Sequence, residues 1–121
     1  MQYALVFVGG GLGSLLRYGL SEILRPWAFL FPWATLLANA LSCVLLGLVA
    51  TLCLNGQLSQ SHRLFFITGI CGGFSTYSTF TNETFLLLQT GNITLGILNI
   101  MGNLILCLLC LILGFKIAGF M

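Results

Sequence analysis

Between Gly72 and Glu83 the chain reads Gly-Gly-Phe-Ser-Thr-Tyr-Ser-Thr-Phe-Thr-Asn-Glu, a glycine pair, a ladder of hydroxyls and a carboxylate inside an otherwise apolar stretch. Unpartnered polar groups at membrane depth cost several kcal/mol, so such a run persists only where protein partners or a polar cavity satisfy it. The run reads as the lining of an ion pathway. Gly72 and Gly73 each weaken a helix by roughly 1 kcal/mol, and Ser75, Thr76, Ser78, Thr79 and Thr81 compete for backbone groups. A break is therefore expected at the glycine pair, with carbonyl oxygens freed near the bilayer middle. Freed carbonyls beside hydroxyls suit a hard cation. Two copies crossing antiparallel there would each supply a pair of carbonyls to one buried ion, a structural pin on the dimer axis.

Other polar residues fall into stripes. Thr76, Phe80 and Glu83 share one helix face, with Tyr77 three residues before Phe80. An aromatic ring held edge-on presents a positive rim to an anion, although rings in membrane helices commonly serve only as packing. Glu83 is the one acid away from a helix end, which makes it a functional candidate, or else a helix-end cap or hydrogen-bond partner near a pore mouth. Thr35, Asn39 and Ser42 form a second stripe, whose amide either bonds a neighbouring helix or donates to a passing anion. Asn99, Asn103, Cys107 and Cys110 form a third, a pathway wall or a seam of helix contacts. Gly9, Gly13 and Arg17 stack on one face of the first segment. The glycines invite close approach of another backbone, while Arg17 is a snorkelling anchor or a cation lining an aqueous mouth.

The elements that must position these stripes follow from composition. The 121 residues are 59% hydrophobic and 5% charged, with a mean hydropathy of +1.10. That leaves too little polar surface for a soluble fold, so an all-α integral membrane protein is expected, with a lipid bilayer as its surroundings and no nucleic-acid partner. Charge is absent from Arg25 to Arg63, from Arg63 to Glu83 and from Glu83 to Lys116. At about 20 apolar residues per crossing, one domain over 1–121 accommodates four transmembrane helices, near residues 3 to 24, 33 to 54, 63 to 88 and 94 to 119. The third would be broken near its middle. An even number of crossings puts both termini on one side, and the first segment lacks the basic start and cleavage pattern of a secretory signal.

Arg63 and Lys116 favour the side bearing the termini and Arg25 the other, a bias close to zero under the positive-inside rule. Such balance permits insertion both ways and hence a dual-topology antiparallel homodimer. Cys43, Cys53, Cys71, Cys107 and Cys110 lack His or acidic neighbours at ligand spacing and read as small buried hydrophobes. No catalytic triad, metal-ligand cluster or nucleotide motif points to an enzyme.

Taken together, these residues resemble the small dual-topology fluoride channels of the CrcB or Fluc family over nearly the whole chain. The resemblance rests on Gly10, Gly13, Arg17 and Tyr18 in the first helix and on Pro32, Thr35, Asn39 and Gly47 in the second. Its longest and most specific part is the run Gly69-x-Cys71-Gly72-Gly73-Phe74-Ser75-Thr76-Tyr77-Ser78-Thr79-Phe80, with Glu83 beyond it. It implies an antiparallel homodimer with two fluoride pores in a bacterial inner membrane, relieving cytoplasmic fluoride passively. It also implies a structural Na+ held by the carbonyls of Gly72 and Ser75. Pore aromatics would be Tyr77 and Phe80, the helix-2 asparagine Asn39, the vestibule arginine Arg17 and the pore-end glutamate Glu83.

The chain departs from the family pattern at Tyr77, where Phe is usual, at Ser75, where Thr is usual, and at Ala34, where Gly is usual. Cys107 and Leu111 stand where the family's last helix carries a hydroxyl track. Fluoride is small and strongly hydrated, so a pore must replace its water with donors such as Asn39, Thr79 and Asn103. A proton-coupled small multidrug exporter is the alternative of similar size. It asks for an acid in the middle of the first helix, where this chain has glycines and carries Glu22 only at the end.

Overall fold

The computed structural model describes residues 1–27 and 30–119, and these are helical with short turns. Helix α1 spans Gln2–Leu24 and runs into a single 3-10 turn, Arg25–Trp27; α2 spans Trp33–Leu54. Helix α3 covers residues 60–74 and changes pitch twice, being α-helical at Gln60–Arg63, π-helical at Leu64–Cys71 and α-helical again at Gly72–Phe74. Helices α4 (Tyr77–Gln89) and α5 (Ile93–Ile117) complete the chain. Among the described residues three stretches are long and apolar enough to cross a membrane: Gln2–Trp27, Trp33–Leu54 and Ile93–Ile117. The protein is a multi-pass membrane protein. The 63 to 88 span expected from sequence is broken near its middle, as anticipated, and is divided between α3 and α4, each shorter than a bilayer crossing.

Burial is inverted relative to a soluble domain. Asn99 and Thr51 are the largest side chains fully withdrawn from the surface, while Leu104, Leu108, Leu109 and Leu113 on α5 lie open on the outside. Lipid solvates leucine as well as a protein core does, so the interior is left to small and hydrogen-bonded residues.

Two glycine seams set the packing. On α1, a methyl group at Gly9 would run into the Phe65 carbonyl oxygen, one at Gly13 into the Ile70 carbonyl oxygen, and one at Gly73 of α3 into the Gly10 carbonyl oxygen. Residue numbers rise together along this seam, so α1 and α3 run parallel. The second seam joins α2 to α5: a methyl at Gly47 would strike the Leu111 carbonyl oxygen and one at Gly114 the Val44 carbonyl oxygen. These two helices also run parallel, as Asn39 faces Asn103 and Gly47 faces Leu111. Helices α4 and α5 form the antiparallel connection. Gly91, at φ +82°, turns the chain between them while the Asn92 N–H bonds back to the Leu87 carbonyl.

The break lies at Ser75–Thr76, not at the glycine pair. Ser75 (φ −74°, ψ 154°) and Thr76 (φ −151°, ψ 116°) are extended, whereas Gly72 remains right-handed helical. The glycines serve instead to bring α3 against α1, and the hydroxyl residues that follow them open the ladder. Ser75 bonds back to the preceding turn, its N–H and hydroxyl both donating to the Cys71 carbonyl at 3.0 and 2.8 Å. The Ser42 hydroxyl donates to the same oxygen at 3.2 Å and ties the end of α3 to α2.

Candidate functional site

Asn39 organises the break. Its Oδ1 accepts the Thr76 N–H at 2.8 Å, and its Nδ2 donates to Asn103 Oδ1 at 2.9 Å. The remaining contact, Nδ2 to the Thr76 carbonyl, is long at 3.5 Å, which leaves that N–H weakly committed. Asn103 Nδ2 donates to Asn99 Oδ1 at 3.0 Å and to the Asn99 carbonyl at 3.1 Å. Asn99 Nδ2 donates to Thr84 Oγ1 at 2.8 Å, and the Thr84 hydroxyl to the Phe80 carbonyl at 2.8 Å. One continuous chain of hydrogen bonds thus joins the break, α2, α5 and α4. A buried network of this kind holds its members in one arrangement because every unmade bond is costly.

The same network diverts backbone donors. In an unbroken helix the Thr76 and Thr79 N–H groups would close onto the carbonyls of Gly72 and Ser75. Here Thr76 donates to Asn39, and Thr79 donates to Thr76 Oγ1, the N-cap of α4, at 3.3 Å. The two carbonyls are left outside the helical ladder at the negative end of α3, hard oxygens of the kind that ligate hard cations. The opposite polarity stands across the break, where α4 begins and its first N–H groups point back toward the opening. One break therefore offers carbonyls on one side and amides on the other.

A cleft of about 440 Å³ opens against this point, lined by Asn39, Ser75, Thr76, Tyr77, Phe80 and Asn103 together with Cys43, Ile100, Leu104 and Cys107. The Tyr77 and Phe80 rings tilt toward each other with centroids 5.6 Å apart and planes at 50°. Glu83 lines a different cleft of about 360 Å³ with Leu30, Pro32, Leu86, Leu87 and Thr90. It lies one turn beyond Phe80, about 4.5 Å along the α4 axis. Its Oε1 accepts the Thr35 hydroxyl at 2.8 Å, whereas Oε2 is buried with no partner among the described residues.

Of the residues singled out from the sequence, the fold thus gathers Asn39, Ser75, Tyr77, Phe80 and Asn103 in one cleft and sets Glu83 in the next. Thr79 is exposed outside the first cleft, its hydroxyl accepting that of Thr76 at 3.0 Å. Gly72 is exposed beside α1, where a shallow groove also includes Gly10 and Ser14. Arg17 is half-buried on α1 and does not line either cleft. Thr84 and Thr76 were not singled out as network members. The signal was present, since Thr84 and Asn99 fall on facing turns of an antiparallel pair, but only if the pairing is known.

Fold and site define a small polytopic helical membrane protein built around a broken helix and a polar cleft. Residues 4–115 match the family described as "CrcB-like protein, Camphor Resistance (CrcB)". The chain belongs to that family. It is 44% identical over 119 residues to a Thermus thermophilus protein named "Fluoride-specific ion channel FluC", covering 98% of this chain and 95% of the relative. Proteins of the same name from Pyrococcus horikoshii and Phocaeicola vulgatus are 45% identical over 116 residues and 41% over 111. The alignments cover 95% and 91% of this chain and 94% and 92% of the relatives, respectively.

Proposed function

We propose that this chain is a fluoride channel, not an enzyme, which lets F− leave passively across a bacterial inner membrane and so lowers cytoplasmic fluoride. The observation that carries the reading is the single cleft that combines the N-terminal end of α4, the Asn39 amide and the tilted Tyr77 and Phe80 rings. Helix N-terminal N–H groups and ring edges all present positive potential, so an anion entering there exchanges water for fixed dipoles. The relatives' names supply the identity of the anion.

In this reading residues 60–89 form a fourth crossing from two half-helices, and two copies pair antiparallel with their breaks together. The pathway runs from a mouth supplied by Arg17 past Asn39, Asn103, Tyr77 and Phe80 toward Glu83, with the Thr79 hydroxyl as a further donor. The Gly72 and Ser75 carbonyls hold a structural Na+, which would supply fixed positive charge where the bilayer is least tolerant of an anion. The proton-coupled exporter is disfavoured. The middle of α1 is glycine packed on α3, and Glu22 is exposed at its end, 3.4 Å from Arg25.

The test is fluoride efflux from liposomes holding purified protein, read with a fluoride electrode in the presence of a potassium ionophore. Rapid release of fluoride with chloride retained is the expected result. No release from protein verified as a folded dimer would overturn the proposal.

A further inference from the structure

One turn beyond Asn39 and Asn103 the α2–α5 seam carries a pair of thiols. Cys43 and Cys107 each stand four residues beyond Asn39 and Asn103, and the next step of the same seam sets Gly47 against Leu111, so the parallel register brings the two thiols to the same level. Cys43 and Cys107 also line the cleft that contains Asn39, Tyr77 and Phe80. The other two cysteines are placed differently: Cys71 is buried with its thiol toward the Ser42 carbonyl, and Cys53 lies in a separate cleft with Arg63.

We propose that Cys43 and Cys107 form a two-thiolate site for a soft cation of the mercuric type, in the wall of the cleft, where an occupying ion obstructs the path. Soft thiolates select soft metals. Zinc wants four ligands, and among the described residues no three His, Cys, Asp or Glu side chains converge on one point. A mercuric ion is satisfied by two sulfurs. Binding breaks two S–H bonds, forms two S–Hg bonds and releases two protons to water, with no change of oxidation state. The product is neutral, so the low-dielectric surroundings do not oppose it as they would a net charge. The constant register of the parallel seam, which fixes Asn39 against Asn103, sets the two thiols at one level of the same cleft wall as well.

Only the obstruction rests on the fluoride reading, and the test separates the two. Purified protein in detergent receives one equivalent of Hg2+ and is passed through gel filtration with a competing monothiol; retained mercury per chain is then measured. One retained ion per chain is expected, with affinity falling about tenfold or more in Cys43→Ser and in Cys107→Ser but not in Cys53→Ser. Equal retention by the double serine variant would overturn the site. A loss in Cys110→Ser as large as that in Cys43→Ser would overturn the assignment to this pair. In liposomes Hg2+ should slow fluoride efflux by wild type, and not by the double serine variant, each measured against its own metal-free rate. Retained mercury with unchanged efflux would overturn the obstruction. If wild type conducts no fluoride at all, the retention measurement still decides the site.

Discussion

The α1–α3 and α2–α5 seams are built by the same device and put to different ends. In both, glycines let parallel helices touch backbone to backbone, so that any side chain at those positions meets a carbonyl oxygen. The first seam carries no amide side chains across it; it fixes α3 up to the point where the helix opens. The second carries Asn39 against Asn103 and sets Cys43 and Cys107 at one level of the same register, and its polar side chains line the cleft. Close approach alone makes a support. Close approach with amides in register makes a wall that positions donors, because each amide is held by the next rather than left to choose a rotamer.

The sharpest way to break this comparison is to remove the device from each seam. Gly13→Val and Gly114→Val should each cost about 2 kcal/mol or more, since the obstructing atoms are backbone and cannot rotate away. Both should lower the yield of monodisperse protein in gel filtration. A stable Gly114→Val would mean that the polar side chains, not the glycine contact, hold the second seam.

Phe80→Ile removes a ring edge and touches neither seam. Flux should fall about tenfold or more, equivalent to about 1.4 kcal/mol of barrier, with the elution volume unchanged. Unchanged efflux would take the ring out of the pathway. Asn39→Asp keeps an acceptor for the Thr76 N–H but opposes a carboxylate oxygen to Asn103 Oδ1 and puts an anion beside the path. It should fold with a stability loss of about 1 to 3 kcal/mol and conduct poorly in the same liposome assay. A fully active variant would assign Asn39 to packing alone. The smallest effect is expected at Ser75→Ala, because the Cys71 carbonyl keeps the Ser75 N–H and the Ser42 hydroxyl. A loss within about 1 kcal/mol in denaturant titration is expected, and a larger one would make the serine hydroxyl a principal tie of the break.

Much of the site was legible because hydrocarbon penalises every unpartnered polar group. Asn39, Asn103, Phe80 and Tyr77 stood out as stripes or ring edges in apolar sequence, and they line one cleft. The break was expected a few residues early. Glycine propensity pointed to Gly72, but propensity acts per residue, whereas the ladder opens where its donors find better acceptors: Thr76 at Asn39, Thr79 at the Thr76 hydroxyl. The π-helical stretch Leu64–Cys71 left no pattern in the sequence.

The sequence by itself determined the solvent and the period: 59% hydrophobic residues with six charged side chains in 121 leave only apolar helices, and the spacing of four and three puts the polar residues on stripes. Which stripe faces which was decided by the tertiary structure. That Asn39 meets Asn103, that Asn99 reaches Thr84, and that Glu83 takes Thr35 rather than the aromatic cleft depend on two parallel seams and one antiparallel turn. The physical reason is that a stripe is a local property of one helix, set by a rise of about 1.5 Å per residue. A hydrogen bond between helices depends on their relative height and rotation, and those are fixed only when the glycine contacts close.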